Sequence, residues 1–223
     1  TPAMAVPLYI YIRRPSWKAI AVVAGGASLL LALAAAAFLG IYGSVLGKVF
    51  DPRSAALVQQ LEAMRPGITA HIYPLSILNE AALFFGYGLL WLVPNVQWMS
   101  VDLRPAFPLG FTSWGHLAGA LGYVCLLGVA IWMVVRRKDA LGLAGLILLF
   151  PLMWFATEFA TVWVQDPFVL YRSYLWAVAV PGLIAIVLTG FKPKTIYTLG
   201  VLVALIFGGL ALERNLSLRD EGT

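Results

Sequence analysis

Residues 19–42 read AIAVVAGGASLLLALAAAAFLGIY, a run without a single charged side chain. Crossing about 30 Å of hydrocarbon takes roughly 20 apolar helical residues, so this run is long enough by itself. Its hydrophobicity does not alternate with a period of two, which favours a helix over a barrel strand. Gly25, Gly26 and the alanine-rich middle suit close helix packing within a bilayer.

The same signature recurs on either side. A partial span ends at Ile12, and further runs cover 77–93, 112–135, 140–162, 174–191 and 195–212. The reading is an all-α, polytopic transmembrane bundle of about six membrane segments, one of them partial at the N-terminus. Composition agrees: 61% of the 223 residues are hydrophobic and 11% charged, where soluble domains carry about 25% charge. Mean hydropathy is +0.89. The chain opens on Thr1 with no basic leader ahead of a short apolar core. Residues 1–12 read instead as the end of a helix cut partway, as in a piece of a longer protein.

Charge orients the bundle. Three short loops, Arg13-Arg14 to Lys18, Arg136-Arg137-Lys138 and Lys192-Pro193-Lys194, hold eight of the 15 basic residues against one acid, Asp139. Short cytoplasmic loops carry such an excess. The formal charge of +5 is therefore topological and gives no support to nucleic-acid binding. Placing all three loops inside requires 77–93 to begin and end on the external side, as a re-entrant or interfacial helix. Residues 43–111 then form an external region, and 214–223 begin an external tail after a membrane domain of 1–213. Within the external region, Asp51-Pro52 opens a helix as N-cap and first residue. Leu57, Leu61 and Met64 fall on one of its faces, and Arg65-Pro66-Gly67 ends it.

Ionisable residues at membrane segments are candidates for function because burying them is costly. They gather at the external ends. Glu158 lies near the end of its run, Asp166-Pro167-Phe168 follows, and Tyr171-Arg172-Ser173-Tyr174 opens the next helix. Asp102-Leu103-Arg104 follows 77–93, and His71, Asn79 and Glu80 cluster at its start. An arginine there can fork onto a phosphate, and a carboxylate can orient it or act as a base. A polar rim over a lipid-embedded groove suits a substrate with an apolar tail and a phosphorylated head. Structural roles compete with this: Asp102 with Arg104 as a loop ion pair, Glu158 with Arg172 as a pair joining two helices. His71 and His116 have no acid or cysteine at ligand spacing, so no metal site is expected, and no cofactor motif is present. Cys125, the one cysteine, reads as a small core residue. Trp91, Trp98, Trp114, Trp163 and Trp176 read as interfacial anchors.

Several stretches resemble a family. Thr1-Pro2-Ala3-Met4-Ala5-Val6-Pro7-Leu8 resembles a K-P-x-A-x-x-x-P-L helix. Residues 78–105, with Trp91-Leu92-Val93-Pro94 and Ser100-Val101-Asp102, resemble an apolar helix followed by proline and S-x-D. Residues 165–175, QDPFVLYRSYL, resemble Q-E-P-F-x-x-x-R-x-Y-L-P, and Glu213-Arg214-Asn215 through Glu221 resembles a stretch leading into a soluble region. These belong to the transmembrane and tetratricopeptide-repeat O-mannosyltransferases and their bacterial relatives, enzymes of GT-C type fold.

The resemblance implies the membrane half of a glycosyltransferase in a bacterial inner membrane, with cytoplasmic basic loops and an external C-terminus. Its partners would be membrane lipids, a polyprenyl-phosphate-linked sugar donor and a protein or glycan acceptor. Arg104 and Arg172 are expected on phosphate or at the rim. Asp102, Glu158 and Asp166 would orient them, and Tyr174 belongs to the same rim. Two departures stand out. Nothing here corresponds to the external loop that holds the family's acidic catalytic residues, and Trp176 stands where the motif has proline. Two other readings remain open: a non-catalytic membrane subunit or scaffold, and a polymerase or ligase of lipid-linked glycans. The second would use Arg53, Arg65 and His71 of the loop at 43–76.

Overall fold

A computed structural model of the chain describes residues 2–42, 52–93, 106–156, 158–161 and 173–220. Among them there are helices and no strand. In order these are α1 (Pro2–Arg13), α2 (Trp17–Tyr42), α3 (Pro52–Met64), a 3-10 turn (Ile68–His71) and α4 (Ile72–Leu92). Then come α5 (Trp114–Arg136), α6 (Ala140–Phe155), α7 (Glu158–Thr161), α8 (Tyr174–Ala177), α9 (Ala179–Leu188) and α10 (Pro193–Asp220). Four stretches, Trp17–Phe38, Ile68–Leu92, Trp114–Arg136 and Pro193–Glu213, are long and apolar enough to cross a membrane. The chain is an integral membrane protein with an all-helical fold.

The helices differ from the sequence expectations at their ends, each time for a backbone reason. The helix expected from Ile77 begins at Ile72, with Pro74 in its first turn, where its missing N–H would have no helical partner in any case. The span expected over 140–162 is a 16-residue α6 followed by the short α7. The run at 174–191 divides at Val178. Pro181 cannot donate to the carbonyl four residues earlier, on Ala177, so the ladder is interrupted there. The last helix continues through Glu213 to Asp220, past the apolar run that predicts it.

The core forms where α4, α5 and α6 meet. α5 and α6 are joined by three residues and run antiparallel. The Tyr123 hydroxyl donates to the Leu152 carbonyl at 2.5 Å, and Asp139 caps α6 by accepting from the Gly142 amide at 3.4 Å. Phe84 of α4 is the hub: Tyr123 lies edge-on at 5.2 Å and Phe155 at 5.1 Å between ring centroids.

α4 and α5 run parallel. Leu75 and Leu78 pack in one cluster with Leu117. Further along, Gly119 lies against Ala82, Gly122 against Phe85, and Leu126 faces the same space as Gly88 and Leu92. Both helices therefore start at one end of the molecule. The chain is back at that end by Phe107, which packs with Leu61, Ile68, Leu75 and Leu78. There Arg65 donates to the Leu109 carbonyl at 2.5 Å.

The opposite end carries two of the basic loops. Arg14 reaches the end of α5 and donates to the Val134 carbonyl at 2.5 Å, to Val135 at 3.3 Å and to Arg137. α3 closes the first end. Leu61 is buried and Leu57 half-buried, but Met64, expected on the same face, is 61% exposed. Asp51, expected as its N-cap, lies outside the described residues. Gly67 turns the chain with φ of 84°, a conformation that glycine adopts at little cost. Cys125, read as a core residue, is exposed. α2 and α10 keep their apolar lengths exposed and pack extensively on no other described element.

Two predictions follow from this packing. A Cβ on Gly119 would stand 2.5 Å from the Ala82 Cα, whereas nothing lies within 4 Å of one on Gly128. Gly119→Val is expected to destabilise the chain in micelles by about 1–3 kcal/mol, with Gly128→Val near neutral, as read by denaturant titration.

At the other end, the Glu62 carboxylate accepts from the Thr69 hydroxyl at 2.5 Å, from the Gly67 amide at 2.5 Å and from the Thr69 amide at 3.0 Å. These bonds, the Thr69 hydroxyl first, hold its carboxyl below the usual 4.5. A depressed carboxylate stabilises above the ordinary value and loses that effect as pH falls through the lowered one. Hydrogen exchange at Gly67 and Thr69, corrected for intrinsic rate, is expected to gain no protection from Glu62 below that value. Glu62→Gln will lose most of this protection already at pH 7.

Candidate functional site

The second half of α4 borders a cavity of about 540 Å³. α4 contributes Phe84, Gly88 and Leu92, and α5 contributes Leu126. The far wall is Leu148 and Pro151 of α6 with Ala179 and Leu183 of α9. No lining residue carries a charge. Among its lining side chains Leu92 is 62%, Leu89 49% and Ile184 46% exposed. The volume is in the range of small-molecule sites. Its walls offer a ligand hydrocarbon contact and, Trp91 aside, no side-chain hydrogen bond.

One edge is polar. Trp91, half-buried at the last turn of α4, donates its indole N–H to the Ser173 hydroxyl at 2.8 Å. Tyr174 stands edge-on to the same indole at 5.8 Å and is 58% exposed. Ser173 is fully buried. The start of α8 is thereby fixed against the end of α4, at the cavity wall. Tyr174, expected in an external rim, stands beside Trp91, which lines the cavity. Arg172 directly precedes Ser173 in the chain, but it lies outside the described residues, as do Asp102, Arg104 and Asp166.

Glu158 is described. It opens α7 and is half-buried. Next to it, the Phe159 carbonyl accepts from the Tyr73 hydroxyl of α4 at 3.1 Å, and the Phe159 ring meets Tyr123 at 5.1 Å. Glu158 thus belongs with the first half of α4, and Tyr174 with its second half. The structure does not bring these two into one cluster.

The first half of α4 is itself polar inside. Ser76, Asn79 and Glu80 are buried at 1%, 1% and 5% exposure. The sequence reading places Asn79 and Glu80 at the edge of the segment. With the helix starting five residues earlier, both lie about two turns inside it. The Ser76 hydroxyl returns a bond to the Ile72 carbonyl at 2.8 Å, the usual outlet for a serine within a helix. Neither amide atom of Asn79 has a partner among the described residues.

The histidines are local pieces. His71 precedes α4, edge-on to Phe111 at 6.0 Å, and His116 Nδ1 is 2.7 Å from the Ser113 hydroxyl. No group of three metal-ligating side chains occurs among the described residues.

Sequence reasoning treats Trp91 as an interfacial anchor and so misses its role at the cavity. Its position five residues after Gly86 and three after Gly88 is a usable signal, because residues without side chains leave room beside a large one. Trp114, 82% exposed at the start of α5, keeps the surface position expected of it, whereas Trp98 and Trp163 lie outside the described residues. No family model, no curated protein and no solved structure matches this chain.

An unpartnered buried amide costs about 1–3 kcal/mol. Asn79→Ala, which removes the polar atoms without adding volume, is expected to cost less than the roughly 2–5 kcal/mol of an ordinary large-to-Ala change in a core, because the unpartnered amide goes with it. A loss within or above that range, read by denaturant titration in micelles, would instead mean that the amide has a partner, such as an internal water.

Proposed function

We propose that this chain is part of a membrane glycosyltransferase that uses a polyprenyl-phosphate-linked sugar on the external face. It would supply the donor groove and rim, not the catalytic base. The observation that carries the reading is the hydrocarbon-lined cavity between α4, α6 and α9, edged by Trp91, Ser173 and Tyr174. An isoprenoid tail is a chemical match for such walls. The start of α8 lies at the same cavity wall, and Arg172, next to it in sequence, can act as a forked phosphate donor to a carrier whose phosphate reaches that depth. Asp102, Arg104 and Asp166 remain the proposed rim, with Glu158 proposed for the external end at the first half of α4. The resemblance of 165–175 to the Q-E-P-F stretch supports the same assignment.

The parallel run of α4 and α5 supports a re-entrant α4. Two consecutive parallel helices start on the same face, as a re-entrant α4 requires. The Arg14 clasp, which joins two basic loops at the other end, supports placing both loops in the cytoplasm of a bacterial inner membrane, with the C-terminus external. The acceptor would be a protein or a glycan at that external face.

A second reading keeps one specific support. α2 and α10 show wholly exposed apolar flanks, which suits a scaffold subunit that other membrane helices complete.

The test uses Gly88, where an added side chain meets nothing within 4 Å and would project beside the cavity. In the full-length protein, Gly88→Phe is expected to raise the KM for a polyprenyl-phosphate donor roughly tenfold, since about two buried methylenes are displaced at about 0.8 kcal/mol each. It is also expected to abolish photocrosslinking of a tail-labelled donor to α9. Unchanged crosslinking and KM in a folded variant would remove the donor-groove assignment.

A further inference from the structure

We infer that the clasped pair of basic loops is a binding site for an anionic phospholipid headgroup of the membrane leaflet. Two segments 120 residues apart are locked together here by Arg14. Its φ of 48° is the one positive value at a non-glycine among the described residues. A left-handed residue of this kind persists when its surroundings hold it there. What holds it is a guanidinium bonded to the carbonyls of Val134, Val135 and Arg137, with the Tyr11 ring 4.9 Å away. Those carbonyls would otherwise be orphans at the end of α5.

The clasp engages both terminal nitrogens of Arg14 and leaves its neighbours outward. Arg13, Lys18, Arg136, Arg137 and Lys138 are all exposed, and none has an ion-pair partner among the described residues. The only acid in the two loops, Asp139, turns to the α6 N-terminus. Five exposed cations are thereby gathered on the two loops that Arg14 and the Arg136–Trp17 contact join.

Their depth is marked by tryptophan. The Arg136 guanidinium lies 5.3 Å from the centre of the Trp17 ring, and that of Arg137 lies 5.5 Å from Trp132. Trp17 is 60% and Trp132 51% exposed. Exposed indoles on apolar helix ends sit at headgroup level, so the cations stand where lipid phosphates are. Arginines on aromatic faces keep their outer donors free for a planar, forked contact with phosphate. Basic pockets between helices on this side of a membrane bind anionic headgroups, and each cation contributes about fivefold in affinity.

The experiment is native mass spectrometry of the whole chain, released from micelles containing equal amounts of phosphatidylglycerol and phosphatidylcholine. The wild type is expected to retain phosphatidylglycerol in preference by at least tenfold. Arg136→Gln/Arg137→Gln/Lys138→Gln, and separately Arg13→Gln/Lys18→Gln, are expected to reduce that preference by at least fivefold. Helicity by circular dichroism confirms that each variant is folded, and Lys138→Gln alone, expected to reduce the preference measurably, replaces a triple variant that is not. Equal retention of both lipids, or a preference that survives both folded variants, would overturn the site. Excess inorganic phosphate that displaces phosphatidylglycerol from the wild type and is itself retained would overturn the lipid assignment in favour of a soluble anion.

Discussion

The backbone of α4 approaches that of α5 so closely at Gly119 that a side chain there would collide with Ala82. Most of the remaining architecture depends on this contact. It lets two consecutive helices lie side by side in the same direction. The aromatic rings that follow, Phe84, Tyr123 and Phe155, can then interlock edge to face, an arrangement worth more than its buried area alone. A bulkier residue at 119 would push the helices apart and loosen that cluster.

The two halves of α4 lie in different surroundings. The first is enclosed by α3, the 3-10 turn and the returning Phe107, and it holds the buried Ser76, Asn79 and Glu80. The second faces the apolar cavity and ends at Trp91, where a single indole bond ties it to Ser173. A single helix thus has buried polar groups beside one end and a hydrocarbon-lined space beside the other. At the far end, Arg14 holds the α1 terminus to the α5 terminus. The cationic end is thus as well defined as the packed core.

Much of the fold was legible because lipid imposes a simple rule: a spanning segment must satisfy its own backbone and present apolar side chains. The uncharged runs at 19–42 and 112–135 meet it without ambiguity. Boundaries were harder where proline is involved. Pro74 looks like a reason to start a helix after it, yet in a first turn it costs nothing. Pro181 looks innocuous within an apolar run, yet it interrupts the ladder.

The candidate site was less legible. Tyr174 stands out in the sequence by its position at the mouth of a helix, but its partner Trp91 lies 83 residues earlier (174 − 91), and no local pattern links the two. The charge asymmetry of the loops and the direction of α4 against α5 bear on the same point from independent physics. One counts lysines and arginines near the helix ends, and the other reads the register of packed side chains.

That point is open to a direct measurement. In a Cys125→Ser background, single cysteines at Thr69, Thr112 and Lys138 can be reacted with a membrane-impermeant thiol reagent in sealed vesicles of known orientation. Parallel packing of α4 and α5 predicts that positions 69 and 112 react from the same side of the membrane and position 138 from the other. If 69 and 112 react from opposite sides, α4 crosses as an ordinary span antiparallel to α5, and this account of the fold and its site is wrong.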